Sequence, residues 1–196
     1  MIVENINLTG HFLIAMPAMV DPFFSKTMTF ICTHNHDGAM GIIINRPIEL
    51  TFSTLFEQIK LELNNTIIAN NHVHFGGPVQ LERGFVLHQT NDDLDAIWDS
   101  TVRINPLLAL TTSKDILAAV ASQTGPKKLL VTLGYAGWTS GQLEDEMASN
   151  AWLSIKVDDD LTSKIIFDID NEDKVNVAMS TLGLDFANFS EEVGHA

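Results

Sequence analysis

Two His-x-His pairs are the residues in this 196-residue chain whose type and spacing most directly suggest chemistry. His34 and His36 flank Asn35, and His72 and His74 flank Val73. In an extended strand, residues i and i+2 project from one face, so each pair offers two imidazoles to a metal ion. Two ligands make half a site, and nothing in the sequence brings the pairs together. The run His34-Asn35-His36-Asp37-Gly38 reads more simply as a hairpin turn between MTFICT and GIII, because Asn, Asp and Gly tolerate left-handed backbone. His88 closes the apolar run Phe85–His88 and reads as a histidine satisfied inside the fold. No metal or other cofactor is assigned.

Glycines supply the next pattern. After the apolar run LLVTL come Gly134, Gly137 and Gly141, then a helical segment, an outline that superficially matches a phosphate cradle. The spacing is neither the dinucleotide nor the Walker pattern, and no lysine follows the last glycine. Glu144, Asp145 and Glu146 fill the first helical turn and already complement the positive end of the helix dipole, so an anion would be repelled. The expectation is a tight turn with Leu143, Met147 and Ala151 facing the core and a groove formed by Tyr135 and Trp138. Ser140 lies outside any G-x-S-x-G pattern and reads as a turn or cap residue. Gly76-Gly77-Pro78-Val79 marks a second turn. Asn45-Arg46-Pro47 follows GIII, and Arg46 is expected in a strand-end ion pair, with carboxylate binding as the alternative. The candidate ligand or partner surface is therefore His34, Asn45, Arg46, Gly76, Gly77, His88, Tyr135, Trp138 and Gln142.

Charge narrows the partners. The chain carries 11 basic and 25 acidic residues, a net charge of −14. Residues 141–196 hold thirteen of those acids against three lysines. Such a surface repels phosphate backbones, so direct nucleic-acid binding is disfavoured. No segment has the ~18 or more uninterrupted apolar residues of a membrane span. The apolar stretch Phe12–Val20 contains Pro17, is followed by Asp21-Pro22, and lacks a basic leader; it reads as a buried strand entering a loop, not as a signal peptide. The lone Cys32 excludes an intramolecular disulfide and reads as a buried hydrophobe, which suits a reducing cytoplasm.

These residues need elements to position them. Apolar and β-branched runs predict strands at His11–Met16, Met28–Thr33, Gly41–Asn45, Phe85–His88, Val102–Ile104, Leu129–Leu133, Leu153–Val157 and Ile165–Phe167. Helical spacing predicts Ser53–Leu63, Ser113–Gln123, Gly141–Asn150 and Asp173–Leu182, the last ended by Gly183. Thr54 with Glu57, Thr112 with Asp115, and Thr139 with Gln142 have capping-box spacing. Asp158–Asp160 reads as a turn and Glu172-Asp173 as a helix start. Strands and helices mix without βαβ alternation, which points to a single α+β domain over residues 1–196.

The strings LTGHFLIAMPAMVDPFF, HDGAMGIIINRP, HFGGPVQLERGFVLH, LTTSKDILAA, LGYAGWTSGQLEDEMASNAWL and the terminal GHA occur in that order along nearly the whole chain. On these the chain resembles the YqgE/AlgH family of bacterial proteins. The resemblance implies an α+β fold with a mixed, strongly bent, partly barrel-like sheet surrounded by helices. It implies no established activity, cofactor or metal. One branch of the family is associated with regulating exopolysaccharide production, and is sometimes described as a transcriptional regulator.

Two readings follow. The leading one is a non-enzymatic cytosolic regulatory or interaction module with a protein partner or small ligand. The rival is a small-molecule or metal-dependent enzyme using a His/Arg/aromatic cleft. They differ in whether His34, Arg46, His88, Tyr135 and Trp138 line one cavity. The sequence leaves the oligomeric state open.

Overall fold

Phe12, Leu13, Ile14 and Ala15 are four successive apolar residues, and all four are buried. A strand sends alternate side chains to opposite faces, so such a run is stable where both faces of its sheet are covered. The computed structural model describes residues 7–90 and 98–184 and shows that arrangement. The terminal GHA string lies outside the described residues.

Strands β1 (Phe12–Ala15), β2 (Met28–Asn35) and β3 (Gly38–Ile43) form an antiparallel meander. β4 (Pro47–Thr51) leads into helix α1 (Phe52–Gln58), and β5 (His72–Phe75) and the long β6 (Val79–Gln89) follow. β7 (Thr101–Asn105) and β8 (Leu108–Thr111) make a hairpin before α2 (Asp115–Ala121). The second long strand, β9 (Leu129–Thr139), precedes α3 (Gln142–Ala148), β10 (Trp152–Ile155), α4 (Asp159–Phe167) and α5 (Lys174–Ser180). The main path of the sheet is β10-β1-β2-β3-β9-β6-β8-β7, with β4 and β5 as a branch. β5 pairs β9 in parallel and every other described ladder is antiparallel, so the sheet is mixed. It curls strongly into a half-barrel, with five helices among the described residues, a single α+β domain.

On one face Phe12, Ile14, Phe30, Ile42 and Leu87 pack against Ile165 and Ile166 of α4 and Ala178 and Met179 of α5. On the other, Leu13, Ile31, Ala136, Trp138 and Trp152 meet Leu143 of α3. Further along that face, Val73, Val86 and Val131 meet Phe52 and Phe56 of α1 and Ile116 and Val120 of α2.

The sheet divides beside β9, and glycines make the division sterically feasible. Residues 136–139 of β9 pair with β3, whereas Thr132 and Leu133 pair with β5. At the fork the backbones nearly touch. A Cβ on Gly77 would lie 2.1 Å from the carbonyl carbon of Tyr135, and one on Gly134 would lie 2.2 Å from the Gly77 oxygen. Gly134 also has φ +72, and this left-handed step reverses the alternation of β9, while the extra residues of the shifted register lie opposite it in β6. Val131 and Leu133 point toward α1 and α2, yet Tyr135 points to the α4/α5 face and Ala136 and Trp138 point away from it.

The structure corrects several expectations. Gly134 and Gly137 lie inside β9, so the anticipated turn begins only at Ser140. Ile165–Phe167 ends helix α4 instead of forming a strand. The presumed turn Asp158–Asp160 is that helix's start: the Asp158 carboxylate accepts the Leu161 N–H at 2.8 Å. Thr51, not Thr54, caps α1 by accepting the Thr54 N–H. No side chain caps α2 at its N-cap residue Lys114. α1 and α2 stop short of the predicted ends, where Lys60 (φ 59) and Gln123 (φ 63) turn left-handed. The turn at His36-Asp37, with Asn35 paired to Gly38, is as expected. Among the described residues no helix is long and apolar enough to cross a membrane.

The fork predicts a contrast between two glycines of positive φ. Gly77→Ala should lose at least about 2 kcal/mol of unfolding free energy in urea, because the methyl group meets immovable backbone. Gly141→Ala, with nothing within 4 Å of its added Cβ, should lose only about 1 kcal/mol.

Candidate functional site

The parity switch at Gly134 places Tyr135 over the part of the sheet that α4 and α5 leave uncovered. There a groove of about 820 Å³ opens across β2, β3, β9, β6, β8 and β7. Its floor is apolar: Met40, Phe85, Leu110 and Tyr135, with the Tyr135 and Phe85 rings 5.3 Å apart. Its rim is rich in hydroxyl and amide groups, including Thr33, Asn35, Gln80, Ser100, Thr101 and Thr112. Asp37 and Asp99 add negative charge to the lining. Arg83 supplies its cation. The guanidinium lies 5.7 Å from the Phe85 ring centre and donates to the Thr112 hydroxyl at 3.1 Å. It is offered by an irregular stretch of β6, where the register with β9 shifts between Val79 and Gly84 and Gln80 takes φ 53.

The other sequence candidates are dispersed. His34 is buried on the opposite side: its Nδ1 accepts the Leu8 N–H at 3.0 Å, and its Nε2 donates to Glu144 Oε1 at 3.0 Å. His36 is exposed, so the first His-x-His pair is split between core edge and solvent. His88 is enclosed between β6 and β8, with Nε2 2.8 Å from Thr111 Oγ1 and the Trp98 ring edge-on at 5.1 Å. Burial pulls its pKa down, partly offset by the Gln89 carbonyl. Among the described residues no group of three or more His, Cys, Asp or Glu side chains could hold a metal ion.

Among the described residues Arg46 forms no ion pair at the strand end. It donates to the carbonyls of Pro22, Phe23 and Ser25 at 3.2, 2.6 and 2.8 Å, and so straps down the segment 16–26. Asn45 assists from the same position, accepting the Met28 N–H at 2.8 Å and donating to the Lys26 carbonyl at 3.2 Å. Gly76 and Gly77 contribute close backbone approach at the fork. Trp138 is only 6% exposed; its indole donates to Glu146 Oε2 at 2.8 Å, as does Trp152 from the other side. Gln142 donates to Glu146 Oε1 at 2.9 Å and accepts the Thr139 N–H at 3.0 Å. The structure thus brings Tyr135 and Trp138 to one groove and Trp138 and Gln142 to a second cavity, while His34, Arg46 and His88 join neither.

Sequence reading missed two features. Arg83 was hidden in the run LERG, although the charged pair Glu82-Arg83 before a glycine breaks the apolar pattern of the strand and is a sign of irregular pairing. The other is a buried polar knot that ties α4 and α5 to the sheet. Lys174 is 2% exposed and donates to the carbonyls of Ile44 and Ile166 at 2.8 and 3.0 Å. Burial lowers its pKa to about 8 against the opposing pull of Asp170. His74 lies nearby, with Nε2 donating to Asn171 Oδ1 at 3.1 Å and Nδ1 buried with no hydrogen-bond partner among the described residues. Burial is the main reason its pKa falls to about 4; the Asn171 bond opposes the fall and the Lys174 charge adds to it.

Comparison with known proteins gives a consistent picture. The AlgH-like family model matches residues 12–187. A UPF0301 protein of Thiobacillus denitrificans is 53% identical over 193 residues, covering 98% of this chain and 100% of its own length. A second, from an Azoarcus species, is 52% identical over 190 residues, covering 97% of each. The solution structure of the AlgH protein from Pseudomonas aeruginosa superposes with a TM-score of 0.77 at 42% identity, over 97% of this chain and 96% of that one. An X-ray structure of a Corynebacterium diphtheriae protein shares the fold alone, with a TM-score of 0.66 at 19% identity over 88% of this chain and 87% of that one.

The His74 environment sets a pH window. The folded pKa is below the unfolded value, so the unfolded chain takes up a proton first as pH falls from about 6.5 to about 4. Stability is complete above that window and is lost through it, by up to about 3 kcal/mol. His74→Gln should flatten the decline relative to the parent, measured by urea unfolding at a series of pH values.

Proposed function

The chain belongs to the AlgH-like family, and from the geometry of its groove we propose that it is a non-catalytic binding module of the bacterial cytoplasm with a regulatory role. One observation carries the reading. The groove combines an apolar aromatic floor with a hydroxyl- and amide-rich rim, which is recognition chemistry. The groups best suited to proton transfer or nucleophilic attack serve the fold elsewhere. His34 and His88 are hydrogen-bonded to neighbouring elements, Lys174 is wrapped by carbonyls, and Cys32 is buried, which raises its thiol pKa above the usual range. The net charge of −14 opposes a polyanionic partner. A role in transcription or exopolysaccharide production would therefore act through a bound protein or small ligand, not through direct contact with an operator.

The test separates binding from turnover. Isotope-labelled protein is titrated, in separate NMR experiments, with the small-molecule and protein fractions of a bacterial lysate. Expected are saturable shifts at Met40, Val102 and Tyr135, weakened about tenfold (~1.4 kcal/mol) by Arg83→Glu or by Val102→Asp. Both positions are exposed, so the fold should persist. Chemical conversion of the bound compound would defeat the non-catalytic reading, and shifts confined to other surfaces would remove the groove from it.

A further inference from the structure

A second surface, which shares only Gly137 and Trp138 with the groove, lies between the segment 16–26 and α3. Two large apolar side chains stand out from it: Val20 is 92% exposed and Phe23 45% exposed. On a loose loop this would mean little, but here the backbone is fixed. Arg46 holds three of its carbonyls, and Asp21 Oδ1 accepts the N–H groups of Phe23 and Phe24 at 2.8 and 3.2 Å. The Phe23 ring stacks on Phe75 at 6.0 Å, and the Arg46 guanidinium lies 5.8 Å from the same Phe75 ring. The ordering entropy of the segment is thus lost on folding, not on binding. Fixed apolar groups bordered by polar ones are characteristic of interaction surfaces.

Beside this segment is a cavity of about 520 Å³ lined by Val20, Asp21, Phe24, Trp138, Glu146 and Trp152 among others, with no lysine or arginine in its wall. Phe24, Trp138 and Trp152 form a tilted and edge-on cluster with centroids 5.6, 5.9 and 6.2 Å apart. Both indole N–H groups donate to the Glu146 carboxylate, which enriches the ring faces in electron density and strengthens their attraction for a cation. Among the described residues, neither Glu146 nor Asp21 forms a salt bridge.

We propose that this surface docks a basic segment of a partner protein: an arginine or lysine side chain enters the cavity beside the aromatic cluster and the two carboxylates, and a neighbouring apolar residue covers Val20 and Phe23. The net charge of −14 steers such a partner inward. The same charge disfavours a second copy, since a symmetric pairing would set Asp21 and Glu146 against their own equivalents.

The probe is an acetylated, amidated hexapeptide alternating arginine and leucine, with a glutamate-for-arginine peptide as control, titrated into the full-length protein. The indole N–H resonances report the result: Trp138 and Trp152 line the cavity, and Trp98 lies elsewhere. The arginine peptide should shift the first two saturably, leave Trp98 unmoved, and weaken as salt is raised. Val20→Lys and Asp21→Asn, at exposed positions, should each weaken it several-fold, whereas Arg83→Glu in the groove should not. Equal shifts with the glutamate peptide, or no shift of either indole, would overturn the proposal. So would binding indifferent to Val20→Lys and Asp21→Asn, or a loss with Arg83→Glu that assigns the peptide to the groove. Concentration-dependent indole shifts without peptide, abolished by Val20→Lys, would identify a second copy as the occupant instead.

Discussion

The close approach of three glycine backbones, at Gly76, Gly77 and Gly134, is the contact on which the rest of the structure depends. A sheet that forks must bring two strands against one at the branch point, and side chains there would hold the backbones apart. A Cβ on Gly76 would lie 2.3 Å from the Gly134 oxygen, so the contact is backbone on backbone from both sides. The fork lets β5 leave β9 and carry β4 outward, while β3 continues along the other half of β9. A groove crossing six strands and a strongly curled sheet both follow from that geometry.

Gly134 does more than permit contact. Its left-handed φ inserts one step into the alternation of β9, so Tyr135 points to one face and Trp138 to the other. Two aromatic residues three apart in a regular strand would also lie on opposite faces, but with the opposite assignment. That left-handed step therefore decides that Tyr135 floors the groove and that Trp138 joins Trp152 and Phe24 under the 16–26 segment. Both candidate recognition surfaces depend on this single backbone conformation.

Charged side chains in this fold work largely as fasteners. Arg46 fixes a loop through three carbonyls, Lys174 fixes a helix pair through two, and Glu146 holds two indoles. Lys174 satisfies carbonyls buried away from water, where a charge-assisted hydrogen bond has most effect, Glu146 does the same for two largely buried indoles, and Arg46 pins the carbonyls of a surface segment. Residue type alone does not reveal this use; only the neighbours do.

Local chemistry made much of the architecture legible. The apolar runs at β1 and β2, the His36-Asp37 turn, the approximate positions of α1, α2, α3 and α5, and the α+β class all follow from periodicity and turn residues, because those effects act within a few positions. The sequence also carried the acidic balance and the family strings. It misread Ile165–Phe167 because a short β-branched run at a buried helix end looks like a strand; the Asp158 cap outweighed that propensity. It could not show that β5 pairs with β9, that Gly134 is a left-handed step inside a strand, or that Arg46 reaches back to the 16–26 segment. Those facts rest on contacts between residues from about twenty to more than fifty positions apart, where pairing partners are chosen by the competition of whole surfaces for burial. Residue types and their order were settled by the sequence; which of them share a cavity was decided only when the sheet curled and forked.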